Sequence, residues 1–351
     1  MKLASEKSFN KAVCPVMDIK GKTVEYPFIL QFGNSVFVCA QGILGPKQVM
    51  VMDVLGTGLI HMLYNNTDKY SGRIPIWKET RVKQISGDYM SDNLVQYFTK
   101  NLSSDSDGKI PEAWYSDKGL INIDLKYERI KKPITLVLND GVLRRELPFL
   151  KGYSSVQIAE MIRQTSECVL NMTYPIRHHN GNEYKTVPFN NYQFPTHLFT
   201  LIKTEPSKWS KDNHILERKY TIRFDTILGY VFMQNVLSCH TDLVPGKFYE
   251  MSDYAQLFYR IFILPYFGKV KNPISIDEIR HRLVLKTSDT YMVRKVIKRI
   301  LDELAANRFI CDPQEVTKYD GYLYGYKKNN WKDMIDCKEG SSETDWSELK
   351  A

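Results

Sequence analysis

Residues 251–328 constrain the fold of this chain more than any other part of the sequence. Ser252 and Asp253 are candidate N-caps of a helix whose apolar residues recur at helical spacing until Pro265 ends it. After a loop, Ser275-Ile-Asp-Glu278 has the spacing of a capping box, in which the hydroxyl and the carboxylate each accept a hydrogen bond from a backbone amide. The segment therefore begins with two capped helices, the second of them short.

A third helix follows a turn through Lys286–Asp289, and it has the most regular amphipathic pattern in the chain. Its apolar stripe consists of Val293, Val296, Ile297, Ile300, Leu301 and Leu304. Asn307 is a candidate left-handed C-cap, and residues 309–311 and 321–326 predict two strands around a polar turn. A helix-turn-helix followed by a β-hairpin is the element order of a winged helix.

The outward face of the third helix carries four cations: Arg294, Lys295, Lys298 and Arg299. In an isolated helix, a solvated surface is the simpler explanation of such a face. Here a short capped helix precedes it across a tight turn and a hairpin follows it. The cations also cluster in its first half, the end that contacts base edges in helix-turn-helix proteins. This context favours a recognition helix, and therefore nucleic-acid binding.

The composition is that of a globular protein with a moderate excess of basic residues. Hydrophobic residues make up 43% and charged residues 25% of the chain, and the net charge is +8. A basic surface suits a polyanionic partner. The six cysteines are dispersed without metal-ligand spacing, and no apolar leader or membrane span is found. We expect a reduced, soluble, cytoplasmic protein that does not associate with membranes.

A second stretch with a similar order of elements lies near the middle of the chain. Asn139-Asp-Gly141, between two apolar runs, has the turn chemistry of a β-hairpin. Ser154 and Ser155 then cap a helix. Its mostly inward residues are expected to be Val156, Ile158, Met161, Ile162, Cys168 and Val169. Residues 172–187 predict a further hairpin with a polar tip at His178–Asn182, so we predict a first winged helix here.

The predicted organisation is an α+β protein with two winged-helix domains in tandem and an N-terminal α+β extension. In residues 1–130, strands are expected at 26–32 and 35–40, before a helix over about 47–64 that Gly56 and Gly58 would interrupt. A Pro/Ser/Asp cluster at 203–213 predicts a domain boundary. The domains are therefore 1–130, 131–205 and 206–328, and residues 329–351 form a polar acidic tail.

Part of this sequence resembles the iteron-binding plasmid replication initiators, whose members consist of two winged helices in tandem. The resemblance lies in the order of Tyr249–Arg260, Ile274–Leu283 and Val293–Leu304, which ends in Leu301-Asp-Glu-Leu304. The family has a similar capped helix, a leucine-rich second helix and a long third helix that closes with a Glu-Leu pair. The resemblance covers about residues 133–328, and residues 1–130 match nothing in the family.

The resemblance implies sequence-specific binding of repeated duplex DNA sites, strand opening, contacts with host replication proteins and a homodimer. Lysine and arginine would neutralise phosphates, and side chains at base edges would supply specificity. The candidate DNA-binding residues of the second domain are Thr290, Tyr291, Arg294, Lys295, Lys298 and Arg299 on the helix, and Lys318, Lys327 and Lys328 on or near the wing. Those of the first domain are Gln157, Arg163 and Gln164 on the helix, and Arg177, His178 and Lys185 on the wing.

No arrangement of residues in the sequence predicts catalysis. His178-His179 and Cys239-His240 are adjacent pairs, which lack the spacing of a metal site or of a nucleophile with its base. Gly56-Thr-Gly58 lacks the lysine and the preceding strand of a phosphate-binding loop. We expect a protein that is not an enzyme, with no catalytic residue, no metal and no cofactor.

Three other functions stay open on the sequence alone. The first is a winged-helix transcription regulator. The second is a single-strand binding protein, because Tyr319, Tyr322, Tyr324 and Tyr326 lie on the predicted hairpin and could stack on bases; packing on the core is the simpler explanation of these tyrosines. The third is a scaffold subunit of a larger assembly, since a fold does not determine a function.

Overall fold

Helices and small antiparallel sheets alternate along the chain in the computed structural model, so the expected α+β class is confirmed. The chain forms two compact units, Met1–Cys14 with Glu25–Glu250 and Pro15–Val24 with Met251–Ala351. The structure describes residues 2–6, 9–10, 13, 16, 21–24, 28–32, 35–42, 44–65, 102–104, 123–124, 129–130, 133–180, 183–190, 196–226, 228–229, 232, 241–264, 273–316 and 321–325.

The described helices belong to both units. They are α1 (Pro46–Asn65), α2 (Asp140–Glu146), α3 (Ser155–Glu167), α4 (Asp253–Phe258), α5 (Ile276–Arg282) and α6 (Thr290–Ala306). Short 3-10 helices lie at Pro148–Leu150 and Gly246–Glu250, and a π-helical turn, Tyr259–Ile263, continues α4.

The described strands of the first unit are β1 (Lys2–Glu6), β2 (Phe28–Phe32), β3 (Ser35–Gln41), β4 (Leu102–Ser104), β5 (Ile123–Asp124), β6 (Arg129–Ile130), β7 (Ile134–Asn139), β8 (Val169–Asn180), β9 (Glu183–Asn190), β10 (Thr196–His197), β11 (Thr200–Trp209), β12 (Ile215–Phe224) and β13 (Thr241–Pro245). Those of the second unit are β14 (Ile274–Ser275), β15 (Cys311–Val316) and β16 (Gly321–Gly325).

Two antiparallel sheets dominate the first unit, and each joins parts of the chain that the sequence assigned to different domains. One has the strand order β11-β12-β7-β4, and the other has β10-β8-β3-β2 with β9 paired to β8. The predicted strands at 26–32 and 35–40 are β2 and β3, and β3 pairs with β8. The stretch 203–213 is not a linker, because it includes most of β11 and the turn to β12, where Asn213 has a φ of 58°.

Helix α1 continues through Gly56 and Gly58, where the sequence predicted an interruption. All residues from 48 to 58 are buried. The Gln48 side-chain amide donates a hydrogen bond to the side-chain oxygen of Gln164 in α3, at 2.8 Å. Two glycines cost about 2 kcal/mol in a helix interior. Burial of residues 48–58 against their neighbours outweighs a cost of that size.

The sequence Asn139-Asp-Gly141 begins a helix, so the prediction of a hairpin turn there was wrong. Asn139 is the N-cap of α2, and its side-chain oxygen accepts a hydrogen bond from the backbone N–H of Val142. Strand β7 does not pair with the residues that follow it; it pairs with β12, where Lys219 lies opposite Asn139. Asparagine is favoured both in tight turns and at helix N-caps, and the distant partner strand decides between them.

A buried carboxylate joins α2, α3 and β12. Asp140 has no exposed surface, and it accepts hydrogen bonds from Ser155 Oγ at 2.5 Å, Tyr220 Oη at 2.9 Å and the backbone N–H of Arg218 at 3.0 Å. Arg218 also donates to Ser155 Oγ at 2.7 Å. Because buried polar groups are costly without partners, this network fixes the position of α3 against the sheet.

The second unit has the element order α4, β14, α5, α6, β15, β16. Strand β16 lies between β14 and β15, with Ile274 opposite Tyr322 and Glu315 opposite Tyr322 on the other side. A side chain at Gly321 would place its Cβ 2.4 Å from the Ile274 carbonyl oxygen, so glycine is required where β14 meets β16. The core includes the stripe of α6, in which Val293, Ile297, Ile300, Leu301 and Leu304 are buried and Val296 is half-buried.

Polar side chains fix the helix starts in this unit. The hydroxyl of Ser275 accepts from the Glu278 amide at 3.1 Å, as the capping-box pattern predicted for that hydroxyl. Ser252 caps α4, and the carboxylate of Glu303 in α6 accepts from the Ser252 amide at 2.7 Å and from its hydroxyl at 2.5 Å. Asp289 caps α6. The N-cap of α4 is therefore bonded directly to α6.

Two helices of the second unit end on a residue in the left-handed conformation, and neither residue is glycine. Asn307 was the predicted left-handed cap, but its φ is −88° and the next residue, Arg308, has a φ of 62°. The amide of Phe309 donates to the Leu304 carbonyl at 2.9 Å, which is the Schellman pattern. Val284, at φ 53°, ends α5 in the same way. Burial of the following residue, Phe309 or Leu285, holds each turn.

Candidate nucleic-acid interface

The solvent-facing side of α6 carries the six residues that the sequence nominated on this helix. The side chains of Thr290, Tyr291, Lys295, Lys298 and Arg299 are exposed, whereas Arg294 is half-buried at one edge. Because the buried stripe occupies the opposite side, the amphipathic pattern predicted this division correctly. The structure therefore presents the six nominated residues on the solvent-facing side of a helix of 17 residues.

Three of the four cations on this face are uncompensated within the described part of the chain. Lys295, Lys298 and Arg299 are exposed and have no hydrogen-bond or ion-pair partner among the described residues. Cations that have no ion-pair partner in the protein are the ones whose charge is available to a phosphate. The face therefore has the charge and the accessibility that a polyanion requires.

The fourth cation, Arg294, contacts the hairpin. Its Nη1 forms an ion pair and a hydrogen bond with Oε1 of Glu315 in β15, and both side chains are 37% exposed. The pair joins the second turn of α6 to the strand that precedes the tip of the hairpin. Arg294 is thus partly neutralised and held in position, whereas the sequence placed it among four equivalent cations.

The side-chain charges within α6 oppose the helix dipole, although the carboxylate of its N-cap, Asp289, matches it. Its first turn has no acidic residue, its last turn has no basic residue, and Asp302 and Glu303 lie near its C-terminal end. Helix stability favours the reverse arrangement, with anions near the N-terminus and cations near the C-terminus. The dipole of α6 therefore does not account for the cluster of cations in its first half.

A concave surface of the same unit adds further basic residues. An open cavity of about 330 Å³ is lined by Asp277, Arg280, His281, Val284, Leu285 and Lys286. It lies on α5 and on the turn that leads to α6. In helix-turn-helix docking, the helix before the recognition helix crosses the DNA backbone. The sequence reasoning missed Arg280 and Lys286, although their basic type and their place beside the turn were visible in it.

The predicted helix of the first unit, α3, has a different charge pattern. Arg163 donates to both carboxylate oxygens of Glu160, at 2.5 and 2.9 Å, and to Glu167 at 2.5 Å. Hydrogen bonding to Arg163 lowers the pKa of the Glu160 carboxyl, and the two glutamates raise the pKa of Arg163. One arginine held by two glutamates gives this face no net positive charge. The i,i+3 and i,i+4 spacing of these residues could have indicated this from sequence.

The two glutamines nominated on α3 are also engaged within the protein. Gln157 is exposed and closes a reciprocal capping box with Ser154, and Gln164 bonds both Gln48 and Glu160 at 2.8 Å. Val156, which was expected mostly on the inner face, is 63% exposed. The helix itself and its capped start are confirmed, and Gln157, Arg163 and Gln164 each have a hydrogen-bond partner within the protein.

The hairpin after α3 is confirmed, and it belongs to the five-stranded sheet. Arg177, His178 and Lys185 lie in β8 and β9, with His178 opposite Lys185 in the register, and their side chains are outside the described part of the structure. Lys318, Lys327 and Lys328 lie outside the described residues. On the second hairpin Tyr322 is 5% exposed and packs in the core, so it does not present a stacking surface.

Neither a metal-ion cluster nor a membrane-spanning helix is found in the described ranges. Those residues contain no group of three or more His, Cys, Asp or Glu side chains placed to hold a metal ion. Among the same residues, no helix has both the length and the apolar character needed to cross a membrane.

Comparison with protein-family models and with curated proteins finds no match. Among solved structures, the chain is similar to a crystal structure of domain 2 and domain 3 of RctB, with 10% sequence identity over 58% of this chain and 76% of that chain. The TM-score of that match is 0.32, which is too low to establish a common fold. The geometry of α6 and its surroundings therefore carries the functional argument.

Proposed function

We propose that this protein binds duplex DNA sequence-specifically through its second unit, as a winged helix, and that it initiates replication at repeated origin sites of the plasmid type. The observation that carries the proposal is the face of α6, where three exposed cations beside a hairpin have no ion-pair partner among the described residues. The order α4, β14, α5, α6, β15, β16, with β14 paired to β16, supports the winged-helix assignment because it brings the hairpin beside the helix-turn-helix.

In this proposal α6 enters the major groove and the hairpin lies along the adjacent backbone. Lys295, Lys298 and Arg299 neutralise phosphates, and the cavity beside Arg280 and Lys286 receives the backbone next to the groove. The protein performs no chemistry of its own. The first unit supplies a second and weaker DNA contact through the hairpin of β8 and β9 rather than through α3. Host replication proteins and a second copy of the chain are the proposed protein partners.

The test of DNA binding is selection from a randomised duplex library by the purified protein at near-physiological salt. We expect the retained duplexes to share a sequence motif, and the variant Lys298→Ala should retain less of the duplex library than the wild-type protein. Recovery without any motif, with retention lost at modest salt, would leave only non-specific electrostatic binding and would overturn the proposal.

A second experiment separates an initiator from a transcription regulator. The recovered motif is cloned as an array of direct repeats beside an A·T-rich segment in a supercoiled plasmid. An initiator should make thymines of that segment reactive to permanganate when the full-length chain is added, whereas a regulator should bind the repeats without opening the strands.

A further inference from the structure

The exposed face of α6 has two chemically different parts. Its first turn holds two adjacent large side chains, Tyr291 at 71% and Met292 at 41% exposure, next to the exposed Thr290. Cations follow in the next two turns. Among the described residues of the second unit, these two are the exposed large hydrophobic side chains. Exposure of adjacent large apolar residues gains nothing for folding, because neither is removed from water.

The first turn is unsuited to phosphate. The Asp289 carboxylate accepts hydrogen bonds from the backbone amides of Tyr291 at 2.9 Å and Met292 at 3.4 Å. These amides would otherwise be the donors of an anion site at a helix N-terminus. The Asp289 charge also repels phosphate there. The helix start therefore favours a ligand surface that is apolar and uncharged, and it directs phosphates to the cations further along.

The major groove of duplex DNA offers one apolar group, the 5-methyl of thymine, at the level of the base edges. In helix-turn-helix docking the N-terminal residues of the recognition helix reach those edges. We propose, as a refinement that rests on the proposed duplex binding, that Tyr291 and Met292 are specificity-determining residues that contact thymine 5-methyl groups. Lys295, Lys298 and Arg299 hold the flanking phosphates while this contact forms.

Deoxyuridine substitution tests the inference, because it removes the methyl group and leaves base pairing intact. Affinity is measured for the selected duplex and for duplexes in which each thymine is replaced in turn. For the wild-type protein, loss of a contacted methyl should weaken binding about fourfold, the effect of exposing one methylene-sized group. The variants Met292→Ala and Tyr291→Ala should bind the thymine duplex more weakly and lose most of this deoxyuridine penalty.

Val156→Ala is the matched control, since Val156 is a similarly exposed apolar residue in the first turn of α3, which has no cationic face. It should keep the wild-type deoxyuridine penalty. Lys298→Ala should weaken all duplexes equally, and thermal melting checks that each variant is folded. If the wild-type protein is indifferent to deoxyuridine, or both α6 variants keep the full penalty, the inference is wrong while duplex binding stands. If no duplex is selected at all, the proposed function itself fails.

Discussion

The salt dependence of DNA binding tests the cationic face of α6 directly. Three cations on this face, Lys295, Lys298 and Arg299, have no partner among the described residues. Each phosphate contact contributes about 0.9 to the slope of log affinity against log salt concentration. The triple alanine variant should therefore lower the slope by about 2.7, and Lys298→Ala alone by about 0.9.

These slopes correspond to measurable changes in affinity. Between about 50 and about 200 mM salt, the advantage of the wild-type protein should shrink about 3.5-fold relative to Lys298→Ala, and about 40-fold relative to the triple variant. Fluorescence anisotropy with the selected duplex measures both. Arg163→Ala is the matched control, because two glutamates already compensate Arg163. An unchanged slope in the triple variant, or an equal change in Arg163→Ala, would refute the assignment of this face.

Three further predictions concern the contacts that hold the site and the fold. Glu315→Gln should steepen the salt slope by up to about 0.9, because it releases Arg294 from its ion pair, and the same titration measures it; an unchanged slope would mean that Arg294 does not reach a phosphate. Asp140→Ala should lower the free energy of unfolding, measured by urea denaturation, by about 3 kcal/mol, because three donors lose their buried acceptor. A decrease of less than about 1 kcal/mol would contradict this role of Asp140. Burial and the Asp140 charge raise the pKa of Tyr220, whereas a tyrosine in the unfolded chain has a pKa of about 10. Neutral Tyr220 therefore stabilises the folded state fully below about pH 10, and this contribution is lost as the pH rises above that value. The free energy of unfolding of Tyr220→Phe should fall less steeply than that of the wild-type protein between about pH 8 and about pH 11.

Local chemistry was predictable wherever neighbouring residues decide the outcome. The caps at Ser154, Ser252 and Ser275 lie where the sequence placed them, because a hydroxyl and the amides it satisfies are two or three residues apart. The buried stripe of α6 was predicted from the helical spacing of its apolar residues. The helical turn spacing that predicted this stripe also predicted the opposite, cationic face.

Local reasoning failed where two conformations were compatible with the same short sequence. Asn139-Asp-Gly141 suits both a hairpin turn and a helix start, and the partner strand β12 with Tyr220 favours the helix. The left-handed residue after α6 is Arg308 rather than Asn307, because burial of Phe309 sets where the helix ends. Gly56 and Gly58 stayed within α1 for a similar reason: packing exceeded the intrinsic cost of glycine.

The sequence by itself determined the order of helices α4, α5 and α6 and of the hairpin that follows them, and it determined the basic side of α6, since these depend on caps and periodicity within single elements. It did not predict the short strand β14. Only the tertiary structure decided which of those cations is already compensated. Glu315 meets Arg294 because β15 folds back against α6, and that pairing depends on the path of the chain between them. The tertiary structure likewise decided that β3 pairs with β8 and β7 with β12. Hydrogen bonds between strands far apart in the chain produce no residue pattern from which the pairing could be predicted.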